Sequence, residues 1–178
     1  MVTPAEAAAD LLFSLDQRFG LAGRSVLDLG CGTGRLAVGA SLLGARPVTG
    51  VEVDAALIPL ARAAARAAGA TVAFRAMEVS EWRRGADVVV LNAPFGAQTR
   101  HADRPFWEQA FTLAQVAVGA FASSASRTFI ARLALDRGAH VVDVTPVPWN
   151  LPRTFAHHRS ANVRIAVDRW AIATGTKS

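Results

Sequence analysis

Asn92, Ala93, Pro94 and Phe95 follow directly on an apolar run in the segment ADVVVLNAPFG. An amide, a stiffened turn and an aromatic ring in that order are the parts needed to alkylate an exocyclic amino nitrogen. On adenine this nitrogen is a poor nucleophile, because its lone pair is delocalised into the ring. A site that accepts both N–H hydrogens draws the nitrogen toward tetrahedral geometry and aims the lone pair at a donor. Asn92 supplies one acceptor in its side-chain carbonyl, and the backbone carbonyl of Ala93 supplies the second. Pro94 restricts Ala93 to extended conformations. Phe95 offers a flat face for an extruded base, worth roughly 1–3 kcal/mol. Orientation and hydrogen bonding carry such a reaction without an ionisable base. In isolation the same residues make an ordinary Asn-Pro-type turn before a core phenylalanine, so their surroundings decide.

Those surroundings include VLDLGCGTG, which sets Gly30, Gly32 and Gly34 between a strand and a helix. Glycines there let a ligand approach the backbone at a helix N-terminus. Alone, the run would also serve a dinucleotide enzyme or be no more than a tight turn. Its spacing is G-x-G-x-G and not the G-x-G-x-x-G of dinucleotide sites. Asp28 stands two positions before the first glycine, awkward beside a pyrophosphate and suited to a ligand with an ammonium and a sulfonium. GVEVD ends the next strand about 20 residues on, where a carboxylate binds ribose hydroxyls. Glu52 is the first candidate and Asp54 the second, since Asp54 also suits a helix cap. Glu78 follows the third strand, placed to accept from an adenine amino group, with the backbone amide of Val79 beside it. Acidic and glycine-rich features at the ends of three successive strands together imply S-adenosylmethionine, because ligands of open α/β sheets bind at that rim.

The elements that must position these residues alternate. TPAE reads as a helix start with Thr3 as N-cap, Pro4 at the first helical position and Glu6 closing a capping box. Leu11, Leu12, Leu15 and Phe19 share one helical face. Strands are expected over 25–29, 47–53, 71–76, 86–91 and 117–123. Helices are expected over 35–43, 55–68 and 126–137. Another helix is expected after Asp103 as cap, with Phe106, Ala110, Leu113, Ala114 and Ala117 on one face. Alternation of this kind implies right-handed crossovers and a parallel sheet. The two C-terminal β-rich runs, HVVDVTPVPW and NVRIAVDRW, have no helix between them and imply an antiparallel pair at one edge.

With 178 residues, 52% hydrophobic and 19% charged, the chain reads as a single well-packed domain over 1–178. No run reaches the ~20 apolar residues of a membrane span, so no membrane association is expected. Without a signal-like start, the expected location is cytoplasmic. The single cysteine, Cys31, rules out an internal disulfide, and no Cys/His spacing suggests a metal. The formal charge of +5 permits nucleic-acid binding, but nearly all of it is Arg in an Ala-rich chain, as nucleotide bias would also give.

GAQTRHAD follows the Asn92 turn and is polar enough for a lid, with Arg100 and Arg104 able to hold phosphates. LPRTFAHHRS adds Arg153, Phe155, His157, His158 and Arg159, with Trp149 nearby, a mixture suited to structured RNA. A solvated loop explains those residues equally well. Adjacent histidines diverge, so His157 and His158 do not read as metal ligands.

DLGCGTGRLAVGASLLGA, GVEVD, LNAPFG and LPRTFAHHR together resemble the archaeal and eukaryotic small-subunit rRNA N6-adenine methyltransferases, the methyltransferase-like protein five type. The resemblance covers nearly the whole chain in order. It implies a Rossmann-like class I methyltransferase fold with a seven-stranded, mostly parallel sheet, an antiparallel last strand and helices on both faces. It also implies cofactor contacts at Thr3, Gly30, Thr33, Arg35, Glu52, Glu78, Val79 and Asn92, with Asn92 to Phe95 as the catalytic tetrapeptide. RNA in a pre-ribosomal particle would be the partner, with a small zinc-binding activator protein in some lineages. The family usually has Asn-Pro-Pro-Phe; here Ala93 replaces the first proline, which keeps the carbonyl and loses one φ restraint. The family's Gln-Tyr pair is replaced by Met1 and Val2, so a capping role suits Thr3 as well as a contact. Related Asn-Pro-Pro-aromatic sites methylate guanine amino groups in RNA or the glutamine amide of release factors. A non-catalytic subunit that binds cofactor or RNA is the remaining alternative.

Overall fold

Strict alternation along the strand Ala86–Asn92 organises the molecule: Val88 and Val90 enter one apolar cluster, Val89 and Leu91 the other. A strand buried on both faces sits at the centre of a sheet with helices on each side. The computed structural model describes residues 3–92, 103–148 and 166–175. In chain order these are α1 (Ala5–Phe19), β1 (Val26–Leu29), α2 (Arg35–Leu42), β2 (Val48–Glu52), α3 (Leu57–Ala67), β3 (Ala73–Ala76), β4 (Ala86–Asn92), α4 (Arg104–Leu113), β5 (Ala114–Ser123), α5 (Arg127–Asp136), β6 (His140–Val147) and β7 (Val167–Ala173).

The sheet has seven strands in the order β3-β2-β1-β4-β5-β7-β6. Strands β1 to β5 pair in parallel, and β7 is antiparallel to both β5 and β6. The expected fold is therefore present, with one refinement: the final strand fills the gap between β5 and β6, and β6 is the edge. Helices α1, α2 and α3 cover one face through Leu11, Leu12, Leu15, Leu36, Ile58 and Ala61. Helices α4 and α5 cover the other through Trp107, Phe111 and Ile130, with Trp107 meeting Trp170 of β7 edge to face at 6.3 Å.

Three local expectations are corrected. The capping box does not form: Pro4 is the N-cap of α1, and no side chain caps that end. A cap contributes about 1 kcal/mol, whereas burial of Leu11, Leu12 and Leu15, each at 2% exposure or less, contributes about 1.5–3 kcal/mol apiece. Packing holds α1 without the box. Gly119 lets the helix sit close, since a Cβ there would lie 2.3 Å from a Leu15 methyl. Second, α4 stops at Leu113 and β5 begins at Ala114, so Ala114 and Ala117 belong to a strand and not to a helical face. Burial on both sides overrides the weak strand propensity of this alanine-rich run. Third, Asp103 occupies the N-cap of α4 but its carboxylate does not cap; Oδ2 accepts instead from Ser126 Oγ at 3.2 Å.

Candidate active site

Period-two alternation also sets the rim. On β1, Val26 belongs to the α1–α3 face and Leu27 to the other, which returns Asp28 to the first. By the same count Glu52 at the end of β2 and Asn92 at the end of β4 point to that face. Register aligns Leu29 with both Val51 and Leu91, so Glu52 and Asn92 each extend one residue beyond β1. The shorter central strand leaves a notch where the strand order reverses, the place where open α/β sheets bind ligands.

The glycine turn fills the base of the notch. Its amides are already committed within the protein: those of Gly30 and Cys31 both donate to Val51 O at 2.9 Å, that of Gly34 to Cys31 O at 2.8 Å, and that of Gly32 to Glu52 Oε2 at 2.8 Å. A pyrophosphate cradle needs such amides free, and here four of them are spent. Gly32 has φ +53 with open space where a Cβ would point, whereas a Cβ at Gly34 would meet Phe74 at 2.8 Å. Gly32 therefore serves approach from outside, and Gly34 serves packing inside.

Asp28 is 1% exposed. Its Oδ2 accepts from the Ala37 amide in the first turn of α2 at 3.0 Å, and its Oδ1 has no partner among the described residues. Burial pushes its carboxyl up to about 7, the Ala37 hydrogen bond opposes that, and the nearby Glu52 adds to it. Burial likewise pushes the Cys31 thiol up, with Asp28 and Glu52 adding, so it is no nucleophile. Asn92 Nδ2 donates to Thr3 Oγ1 at 2.8 Å, while its buried Oδ1 has no partner among the described residues. Arg35 donates through Nη1 to the Thr3 carbonyl.

Thr3, Asp28, Gly30, Gly32, Thr33, Arg35 and Asn92 line one cleft. Two further lining residues, Cys31 and Leu36, had no sequence signal beyond their places in the turn and the first turn of α2. Glu52 does not line the cleft and is tied to it through the amide of Gly32. Its Oε1 also accepts from the Asp54 amide at 3.1 Å. Asp54 itself is exposed and accepts from the Ala56 amide at 2.9 Å, ahead of α3, so it shapes the turn. Glu78 is exposed at the start of a single 3-10 turn, with Val79 buried. Neither lines the cleft, although the Met77 amide donates to the Glu52 carbonyl at 2.9 Å and ties that strand end to the rim. Arg104 is exposed and pairs with Glu108 at 2.8 Å. Ala93, Pro94, Phe95, Arg100, Arg153, Phe155, His158 and Arg159 lie outside the described residues.

Two acceptor oxygens that have no partner among the described residues, Asp28 Oδ1 and Asn92 Oδ1, thus face the α1 side of a notch whose amides are largely spent. The deficit is of donors, which suits a ligand rich in N–H and cationic groups and not an anion. S-Adenosylmethionine, with its ammonium, sulfonium and hydroxyls, has that chemistry.

A methyltransferase domain model matches residues 26–115, from β1 to the start of β5. The chain is 30% identical to the Drosophila melanogaster rRNA N(6)-adenosine-methyltransferase Mettl5, over 98% of this chain and 86% of that protein. It is 31% identical to protein MJ0284 of Methanocaldococcus jannaschii, over 90% of this chain and 77% of the other. The crystal structure of PH1948 from Pyrococcus horikoshii superposes with a TM-score of 0.87 at 34% identity, covering 96% of this chain and 84% of that one.

Proposed function

Since the chain belongs to the class I methyltransferase family and within it is related to Mettl5, we propose that it methylates the N6 of an adenine in small-subunit rRNA, using S-adenosylmethionine. The observation that carries this reading is the buried Oδ1 of Asn92, which has no partner among the described residues, at the carboxyl end of β4 beside the glycine turn.

When bound, the cofactor supplies an electrophilic methyl group on sulfur. Asn92 Oδ1 accepts one hydrogen of the target amino group, which favours a pyramidal nitrogen with its lone pair freed from the ring. The Ala93 carbonyl takes the second hydrogen, Pro94 stiffens the turn and Phe95 stacks on the base. Asp28, Gly30, Gly32, Thr33, Arg35 and Glu52 hold the cofactor, with Glu52 on the ribose and Glu78 and Val79 at the adenine end. Gly34 supports the turn and Asp54 orders the residues after Glu52. Arg100, Arg104, Arg153, Phe155, His158 and Arg159 contact RNA. The whole of residues 1–178 acts as one domain in the cytoplasm. Among the described residues no helix is long and apolar enough to cross a membrane. A small zinc-binding activator is the candidate second partner, tested by whether adding one raises the transfer rate.

Incubation with labelled cofactor and unmethylated small ribosomal subunits should label RNA, and digestion should release N6-methyladenosine. Label in N2-methylguanosine or in protein would move the assignment to another acceptor. Asn92→Ala should reduce transfer by ~10²–10³-fold with the cofactor still bound; an unchanged rate removes Asn92 from the chemistry.

A further inference from the structure

Thr3 lies just ahead of α1, where a threonine normally caps the helix, yet α1 has no side-chain cap and Thr3 is 8% exposed. Its hydroxyl oxygen instead accepts from Nδ2 of Asn92, across 89 positions of sequence. Its carbonyl accepts from Arg35 at the first position of α2. The chain thereby ties its N-terminal segment to the cofactor turn on one side and to the end of β4 on the other.

A primary amide has a donor end and an acceptor end. With Nδ2 bound, Oδ1 of Asn92 is left buried without a partner among the described residues. Rotated by half a turn, the same group would present N–H to a substrate amino group, donor against donor, and no hydrogen could be accepted. Something on the protein side must therefore hold Nδ2, and Thr3 Oγ1 is the acceptor in place. We propose that Thr3 is a positioning residue for methyl transfer: its hydroxyl oxygen holds the Asn92 amide with the carbonyl turned toward the target nitrogen, and Arg35 keeps the Thr3 backbone at that station. This rests on the role assigned above to Asn92 and differs from a direct cofactor contact by Thr3. Without the hydroxyl, Nδ2 is left on the protein side with no acceptor, a cost that the amide escapes by turning over, so the unproductive orientation dominates.

The test measures single-turnover transfer to unmethylated small-subunit rRNA at saturating cofactor, together with cofactor affinity and thermal midpoint. Thr3→Val keeps the shape and removes the acceptor; Thr3→Ser restores it. The expected result is a roughly ten-fold slower transfer for Thr3→Val, recovery in Thr3→Ser, and cofactor affinity within about two-fold of the parent protein. In an Asn92→Ala background, Thr3→Val should cost nothing further. A parent-like rate for Thr3→Val overturns the proposal. So does weakened cofactor binding with an unchanged saturated rate, or the same loss in both backgrounds. A parent-like rate for Asn92→Ala would instead bring down the role of Asn92 itself, so the two failures are separable. Thr3→Ala serves in place of Thr3→Val should the latter not fold.

Discussion

On the β3-β2-β1-β4 side of the sheet, the rim is held by backbone amides: those of Gly30 and Cys31 donate to the Val51 carbonyl, and those of Gly32 and Ala37 to the Glu52 and Asp28 carboxylates. On the β5-β7-β6 side the ties are ion pairs between distant segments. Arg127 at the start of α5 grips Asp168 of β7 through two bonds of 2.5 and 2.6 Å, and Ser124 adds a third to the same carboxylate at 2.9 Å. Arg169 reaches both Asp10 of α1 and Asp143 of β6. On the first side the amide hydrogen bonds still leave Asp28 Oδ1 and Asn92 Oδ1 without a partner among the described residues; the Asp168 carboxylate and Arg169 guanidinium of the second side are engaged in holding strands together. Cofactor binding and sheet integrity are thus separable by mutation.

Glu52 gives the largest expected separation. Glu52→Ala removes both the tie to Gly32 and the proposed ribose contact, and should weaken cofactor binding by ~100-fold with two charge-assisted bonds lost. Asp54→Ala should change it by less than about three-fold, because Asp54 is exposed and serves its own turn. Equal losses by calorimetry would erase the ranking. Asp168→Asn is the complement on the other side. It breaks the charge of a fully buried carboxylate and should lower the thermal midpoint by about 3–8 °C, with cofactor affinity unchanged. A loss of affinity matching the loss of stability would join the two halves into one unit.

The smallest effect sharpens the contrast through pH. The Arg127 hydrogen bonds hold the Asp168 carboxyl below its usual value, against its own burial, with Ser124 helping. A depressed value stabilises the fold above the unfolded carboxylate range, and that contribution disappears as pH falls through the folded value. Asp28 runs the other way. With its carboxyl at about 7, the ligand-free fold binds the proton more tightly than the unfolded chain does, so this group costs stability as pH rises from about 4 through 7. Its ionised form favours a cationic ligand. Cofactor affinity should accordingly rise about three- to ten-fold between pH 6 and 8, and Asp28→Asn should flatten that rise. A flat profile in the parent protein would separate Asp28 from the cofactor.

The first side was far more legible in sequence than the second. Glycines at fixed offsets after a β-rich run, with acids two before and about 20 after, encode local backbone geometry, and such geometry is written in adjacent residues. Thr3 shows where locality fails. Its sequence neighbours predict a cap, and its tertiary neighbour, Asn92, outcompetes the local amide for its oxygen. Asp103 departs from the cap its neighbours predict for the same reason, since its carboxylate accepts from Ser126. The Arg127–Asp168 pair spans 41 positions and Arg169–Asp10 spans 159. Nothing local announces which of 19 basic residues meets which of 14 acidic ones.

Strand β7 is the last regular element among the described residues and supplies neighbours to two others, burying Trp170 and Ile172 at 1% exposure or less. During synthesis from the N-terminus, β5 and β6 must wait with a vacant slot between them until residues 167–173 emerge. The cofactor half can close early from nearby contacts, whereas the remaining half is committed late and by long-range pairing, the slower kind. A nascent chain halted before position 167 would carry an assembled glycine turn beside two unzipped strand edges, and would be prone to stick to its neighbours.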